Sequence, residues 1–114
     1  MLKKLRNLLE TRTDARKAEG EAAQAALGFA EAREAMCTQE SSLLAKKTER
    51  DAQAKKAGAA VLTQLDKAIK TLETELNERR EKALKAEDEW VSTEKDALDA
   101  LRKLADKQDS FHED

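Results

Sequence analysis

Large apolar side chains recur at spacings of three and four residues in the second half of the chain, and this spacing constrains the fold strongly. The first two heptads carry Leu62, Leu65, Ile69, Leu72 and Leu76. Steps of three and four place side chains on one face of an α-helix. The same frame continues at seven-residue intervals through Ala83, Trp90, Ala97, Leu104 and Phe111. The pattern predicts a helix that buries one narrow seam against another helix.

A matching sevenfold spacing runs through the first half of the chain. One row contains Leu8, Ala15, Ala22, Phe29, Met36 and Leu43. A companion row contains Ala18, Ala25 and Ala32, whose small side chains allow the close approach of a partner helix. The chain has no proline, and nearly two thirds of it is Ala, Glu, Lys, Leu or Arg, a composition typical of coiled coils.

The two patterned halves meet at Ala57-Gly58-Ala59-Ala60-Val61. Glycine interrupts helical patterns, so this stretch indicates a reversal of the chain. We therefore predict an all-α fold, a long antiparallel two-helix coiled-coil hairpin with its bend near Gly58. The first arm covers 1–56, the bend 57–61 and the second arm 62–114, and folding back brings Phe29 near Trp90.

Charge placement also favours an antiparallel hairpin. The cations of residues 1–20 are Lys3, Lys4, Arg6, Arg12, Arg16 and Lys17. The acidic residues of 88–114 are Asp88, Glu89, Glu94, Asp96, Asp99, Asp106, Asp109, Glu113 and Asp114. A hairpin sets the basic start beside the acidic end, whereas a parallel dimer of straight helices would stack like charges.

A second apolar row follows the first by one residue along the second arm. It contains Leu84, Val91, Leu98 and Ala105, while Arg79, Thr93 and Lys107 interrupt the companion row of the seam. Two rows out of phase predict a seam that drifts around the helix, as in a near-straight pair. The pattern leaves self-association open, because Leu84 and Leu98 could also pair with another hairpin.

The composition disfavours several classes of function. The net charge is −2 and aromatic residues are 3% of the chain, which argues against nucleic-acid binding. No apolar run approaches the ~20 residues that cross a bilayer, and Met1–Glu10 lacks the uninterrupted apolar segment of a secretion signal. A single cysteine, Cys37, fits a reducing compartment. We therefore expect a cytoplasmic protein whose contact with a membrane is at most peripheral.

The sequence contains no group of residues suited to catalysis. We therefore expect that the protein is not an enzyme and that it binds neither a cofactor nor a metal ion. Asp and Glu are spread over solvated faces, and the single histidine, His112, is far from Cys37 in the sequence. Cys37 is interpreted as a small residue of the seam, with a reactive thiol as the alternative.

Three sets of residues have both a packing and a binding interpretation. Trp90 and Phe111 either pack in the seam or anchor a partner. The leucines at the start either pack on the second arm or bind a protein or a membrane surface; they are Leu2, Leu5, Leu8 and Leu9. The cations near the bend either form a solvated face or bind an acidic partner; they are Lys46, Lys47, Arg50, Lys55 and Lys56.

The two ends of the chain resemble those of the YscO/FliJ family, the stalk proteins of bacterial type III secretion and flagellar export machines. The opening Met1-Leu-Lys-Lys-Leu-Arg6 is followed by Leu9, Arg12, Arg16 and Ala18-Glu19. The end, Ala105-Asp-Lys-Gln-Asp-Ser-Phe111-His-Glu-Asp114, is similar to the family's charged terminus with a Phe. The likeness covers about a sixth of the chain.

The resemblance implies a non-enzymatic stalk or adaptor that couples a hexameric export ATPase to the export gate at the membrane and also handles secretion chaperones. The positions that match the family are Leu2, Lys3, Lys4, Leu5, Arg6, Arg12, Arg16 and Phe111. These would bind the ATPase, and the position of Lys55 and Lys56 at the bend makes them candidate gate contacts. The alternatives are a membrane-surface coiled coil with a basic amphipathic start, and a purely structural coiled coil that oligomerises.

Overall fold

A computed structural model describes residues 2–113, with side chains for 2–112, as two α-helices. Helix α1 spans Leu2–Gln53 and helix α2 spans Ala59–Glu113. Both are rich in Ala, Leu, Glu and Lys, which lose little conformational freedom on entering a helix. The helices lie against each other and run in opposite directions, so the predicted hairpin is confirmed. Met1 and Asp114, at the ends of the predicted arms, lie outside the described residues.

The connection between the helices comprises residues 54–58. Helix α1 closes with a turn in which the backbone N–H groups of Lys56 and Ala57 donate to the carbonyl of Gln53 at 3.0 and 2.9 Å. The carbonyl of Gly58 accepts the first bonds of α2, from Val61 at 3.2 Å and Leu62 at 3.3 Å. Gly58 therefore occupies the N-cap position, where glycine is well tolerated.

The hairpin divides into two compact units, each built from both helices. The first unit contains Met1–Phe29 and Ala86–Asp114, and the second contains Ala30–Lys85. In the first unit the buried seam residues are the small Ala15 and Ala97. Small side chains let the two backbones approach closely, as the alanine rows predict.

The second unit holds the larger apolar core. Its buried apolar residues are Leu43, Leu65, Leu76 and Ala83. One buried residue is polar: Gln39, which is only 5% exposed. Its Nε2 donates to the carbonyl oxygen of Leu72 at 3.3 Å and to Oε2 of Glu75 at 2.9 Å. Both hydrogen bonds cross from α1 to α2, so this residue fixes the register as well as filling the seam.

Arg79 is a second polar residue of this seam. It is half-buried, and its Nη1 donates to the carbonyl oxygen of Ala35 on α1 at 2.9 Å. The sequence pattern treats Arg79 as an interruption of the companion row. In the folded protein it occupies a seam position while its charged end binds the backbone of the other helix, as long basic side chains can do.

The prediction that the seam drifts around α2 is wrong. Covered residues of α1 recur in steps of three and four without a break, and Ala26 and Ala35 are half-buried beside them; the unbroken row is Leu8, Thr11, Ala15, Ala18, Ala22, Ala25, Phe29, Ala32, Met36, Gln39, Leu43, Lys46 and Arg50. A strict sevenfold frame on α1 can be matched only by the same frame on α2. The out-of-phase row, Leu84, Val91, Leu98 and Ala105, is accordingly exposed to solvent.

Helix α1 continues through the Thr11–Asp14 stretch, where a capping box also fits the sequence. The hydroxyl of Thr11 donates to the carbonyl of Asn7 at 2.8 Å, and that of Thr13 donates to Leu9 at 3.0 Å. These hydroxyl groups bond one turn back within the helix instead of capping a new one.

Gly28 lies in the interior of α1, and an added Cβ there meets nothing within 4 Å. Replacing glycine by alanine restricts the unfolded chain without causing a clash, so we expect Gly28→Ala to raise the free energy of unfolding by about 1 kcal/mol. Urea unfolding followed by circular dichroism measures this change. Gly20 has the same open surroundings and should respond equally. A loss of stability in both variants would contradict this prediction.

Candidate functional site

The start of α1 carries three leucines that the hairpin does not cover. Leu2 is 82% exposed, Leu9 is 50% exposed and Leu5 is 39% exposed. Leu8, by contrast, is half-buried and belongs to the seam row of Ala15. We call Leu2, Leu5 and Leu9 the end patch. They line a shallow open groove together with polar side chains of the same helix, Arg6, Glu10, Thr13 and Asp14.

Cations surround the end patch on α1. Lys3, Lys4 and Arg6 are exposed within the first two turns, and Arg12 and Arg16 are exposed over the next two. The start of this helix therefore combines apolar area with positive charge. Such a surface suits a partner that offers an apolar pocket rimmed by acidic groups.

Phe111, the remaining sequence-predicted binding residue, is half-buried. Its ring meets that of His112 edge-on, with centroids 5.8 Å apart. In the same unit Phe29 faces Trp90 across the seam, with ring centroids 5.5 Å apart. This contact confirms the predicted fold-back pairing and shows that Trp90 packs in the seam.

The Phe29–Trp90 contact also sets the register of the first unit. Three heptads along each helix from this pair lie Leu8 on α1 and Phe111 on α2, which brings the two half-buried residues to the same level. Phe111 is thus a seam residue beside Leu8, and the apolar area left for a partner belongs mainly to the end patch. Exposure is the property that the sequence pattern alone could not assign among these residues.

The cations near the bend belong to the second unit, and three of them are already paired. Lys47 lies 3.6 Å from Glu73 across the seam, Lys46 lies 3.2 Å from Glu49 on its own helix, and the Arg50 Nε donates to Asp66 at 2.8 Å. Lys55 and Lys56 lie in the exposed connection and make no ion pair among the described residues.

The Arg50–Asp66 pair shifts both acid–base equilibria. The hydrogen bond from Arg50, with the attraction of its charge, holds the pKa of Asp66 below its ordinary value. The same bond and the charge of Asp66 raise the pKa of Arg50. Asp66 is exposed and Arg50 is only half-buried, so solvent weakens this ion pair; it orients the helices near the bend and adds little to stability.

Among the described residues, no three His, Cys, Asp or Glu side chains converge in an arrangement that could hold a metal ion. Cys37 is exposed, so its interpretation as a seam residue is wrong; Met36 beside it is the half-buried member of the seam row. Neither helix, over its described residues, has a stretch apolar and long enough to cross a bilayer.

No family model matches this chain. The search of curated proteins found no match, and the search of solved structures found none either. The candidate site therefore stands on its own residues: the end patch, the cations around it, and the two lysines of the connection.

Proposed function

We propose that this protein is a non-enzymatic cytoplasmic stalk or adaptor whose paired chain ends bind the hexameric ATPase of a bacterial type III secretion or flagellar export system. The observation that carries the proposal is the end patch, an exposed apolar surface bordered by cations in the unit that holds both ends of the hairpin. The resemblance of the two ends to the YscO/FliJ family suggests the identity of the partner.

Burial of the end patch supplies a physical reason for binding. Complete burial of a leucine side chain contributes roughly 1.5–3 kcal/mol, and Leu2, Leu5 and Leu9 all retain area to bury. The helix already fixes the backbone that carries these side chains, so association costs their rotamer freedom but no backbone ordering. The neighbouring Lys3 and Arg6 speed the encounter with an acidic surface and select among partners.

The connection between the helices, residues 54–58, supports a role in coupling the ATPase to the export gate. Lys55 and Lys56 are exposed in a short turn and form no ion pair with the described residues of either helix. Two such cations on a narrow tip fit an acidic contact on the export gate or on a secretion chaperone.

Binding of the purified full chain to the hexameric export ATPase tests this proposal. Leu2→Glu and Leu5→Glu place charges on exposed positions, so the helices should fold normally while binding falls at least 10-fold. Leu44→Glu is the matched control, because Leu44 is a leucine of the second unit whose exposure, 67%, lies between those of Leu2 and Leu5. Failure of the unaltered chain to bind, or equal loss of binding with Leu44→Glu, would refute the proposal.

The same patch gives the membrane surface as a second candidate partner. Leucines beside Lys3, Lys4 and Arg6 form a short basic amphipathic segment of the kind that binds anionic lipid. Flotation with vesicles containing anionic lipid distinguishes the candidates. Capture that requires Leu2 and Leu5 and disappears in high salt would favour the membrane, whereas capture by the ATPase alone would favour the stalk.

A further inference from the structure

The end of α2 carries an apolar row that the hairpin leaves uncovered. Val91 is 58% exposed and Leu98 is 56% exposed, while Ala97, the neighbour of Leu98, is buried in the seam. Leu101 and Ala105 extend this row toward the chain end, and both are exposed. We call Val91, Leu98, Leu101 and Ala105 the outer row. All four belong to the first unit.

Small residues of α1 lie on the same flank as the outer row. Because Phe29 faces Trp90 and the helices are antiparallel, an approximate two-fold axis relates the two helices of this unit. Residues at the same offset from a seam residue therefore share a flank. Val91 and Leu98 follow seam residues by one position, and so does Ala23; Ala26 follows Ala22 by four, as Leu101 follows Ala97. By the same offsets Leu9, Arg12, Arg16 and Glu19 also lie on this flank. The flank thus has large apolar side chains on α2, and on α1 two alanines followed by charged side chains toward the start of the chain.

The spacing of the outer row indicates that its partner is another helix. Val91, Leu98 and Ala105 repeat every seven residues, the period that keeps a row in line with a coiled-coil seam. Acidic residues outnumber basic ones beside the row, which opposes binding to an anionic membrane: the exposed acidic residues are Asp88, Glu94, Asp99, Asp106 and Asp109, and the exposed basic residues are Lys95 and Arg102.

We propose that two copies of this chain pair through this flank, side by side and pointing in the same direction, to form a four-helix bundle over the first unit. In this arrangement a two-fold axis runs along the hairpins, and the α2 of each copy lies on the α1 of the other. The register set by Phe29 and Trp90 then brings Val91 of one copy to within about 3 Å of the level of Ala26 of the second, and Leu98 to within about 3 Å of the level of Ala23, at 1.5 Å per residue along the helix axis. These large side chains of α2 therefore lie close to small side chains of α1, as in well-packed cores.

Charge complementarity selects a second copy in this direction. Helix α2 is acidic toward its end, and α1 is basic toward its start through Arg6, Arg12 and Arg16. Two copies pointing the same way set the acidic end of each against the basic start of the other. Copies pointing in opposite directions would lay α2 on α2, so that the acidic residues of this helix would face acidic residues of the second copy.

The available area is sufficient for a stable dimer. A contact two helices wide and about 28 residues long, at 1.5 Å per residue, covers roughly 800 Å² per copy, which is the size of a standard specific interface. Leu9 of the end patch follows the seam residue Leu8 by one position, so pairing through this flank would also cover Leu9. The two proposals are separated by their measurements, because Leu98→Glu is tested on the mass of the free chain and Leu2→Glu on binding to the ATPase.

Sedimentation equilibrium of the full chain tests the pairing. The mass should approach twice the 12.7 kDa of one chain at micromolar to millimolar concentration. Leu98→Glu should raise the dimer Kd by about 100-fold, because it would bury a charge against alanines. Val61→Glu is the control, since Val61 is an exposed apolar residue of the second unit. Circular dichroism verifies that both variants remain helical.

A variant that strengthens the dimer shows that the change in mass does not arise from a loss of folding. Glu94 lies seven residues before Leu101 and thus on the flank of the outer row, so Glu94→Gln should tighten the dimer several-fold. For the direction of pairing, a single spin label is placed by Asp109→Cys in a Cys37→Ser background. Copies that point the same way keep the two labels within about 25 Å, whereas opposed copies centred on Leu98 separate them by more than about 33 Å along the helices.

Four outcomes would overturn the proposal. They are a monomeric mass at millimolar concentration, a dimer as sensitive to Val61→Glu as to Leu98→Glu, a dimer unaffected by Leu98→Glu, and a label separation typical of opposed copies. Flotation with anionic vesicles that is abolished by Leu98→Glu would also count against it, since the outer row would then bind lipid.

Discussion

Leu76→Ala should lower the free energy of unfolding by about 2–3 kcal/mol. Leu76 is only 4% exposed and lies in the seam of the second unit, which also buries Leu43 and Leu65. Truncation removes the transfer energy of the lost methyl groups and leaves a cavity between two helices. The cost should fall in the lower half of the range for buried leucines, because a two-helix seam is open at its flanks and water can enter. Urea unfolding followed at 222 nm measures the change.

Leu84→Ala is a closely matched control for this prediction. Leu84 is the same residue type, on the same helix and two turns away, but it is 62% exposed. The same truncation should change stability by less than about 0.5 kcal/mol, because the side chain is already in water. Equal losses in the two variants would mean that both rows are buried, and the strict sevenfold seam would then be incorrect.

The contrast between Leu76 and Leu84 shows what the sequence could and could not predict. Spacings of three and four identified both seam rows and the pairing of Phe29 with Trp90, because a coiled-coil seam repeats regularly along a chain without proline. The choice between the seam row and the row of Leu84 needed the partner helix. A row of apolar residues indicates that a helix can be buried on that side. It does not indicate whether the other helix of the hairpin lies there.

The apolar pattern of the sequence did not predict that the polar Gln39 lies in the seam, for a different reason. Gln39 lies between Met36 and Leu43 at the expected steps of three and four, but a search for apolar residues passes over it. Its burial depends on acceptors of α2, the Leu72 carbonyl and the Glu75 carboxylate, whose positions follow from the register. The spacing was therefore a sufficient signal for the position, and only the pairing of the helices explains why a polar residue is tolerated there.

The predicted bend overlaps the observed connection only in part. Residues 59–61 of the predicted bend already belong to α2, whereas residues 54–56 of the predicted first arm lie in the connection. Ala54, Lys55 and Lys56 are good helix formers, so their own preferences give no stop signal. Helix α1 ends where packing against α2 ends. The residues next to this point do not indicate it, because the end depends on the partner helix. Gly58 was nevertheless a reliable marker, because it caps α2.

The residues of the candidate site could likewise be predicted from the sequence, whereas their exposure and ion pairs depend on how the helices pair. The sequence identified the apolar and basic residues at the start of α1 by their resemblance to a family, and the fold separated them by exposure into a covered Leu8 and an uncovered end patch. Lys55 and Lys56 were distinguished from the other cations near the bend by ion pairs that join Lys47 to Glu73 and Arg50 to Asp66. Such pairs depend on which residues meet across the seam, and therefore on the register.

Gln39→Glu should destabilise the protein by about 3 kcal/mol at pH 7, the largest loss expected for an isosteric change in this chain. The amide nitrogen of Gln39 now donates to two acceptors, the Leu72 carbonyl at 3.3 Å and Glu75 at 2.9 Å. A carboxylate there would face both acceptors without a proton to donate, in a position that is 5% exposed. Loss of the hydrogen bonds, like-charge repulsion and burial of a charge act in the same direction.

The pH dependence of this variant separates the electrostatic cause from a packing defect. Burial and the charge of Glu75 would raise the folded-state pKa of the introduced carboxyl group above its unfolded value of about 4.3. A raised folded-state pKa means that the penalty is absent below pH ~4 and grows as pH rises through the folded pKa. The stability difference from the unaltered chain should therefore shrink by most of its value between pH 7 and pH 4. Thr38→Glu, at the exposed neighbouring position, should cost less than about 0.5 kcal/mol at either pH, and a pH-independent loss in Gln39→Glu would show that Glu75 is not its neighbour.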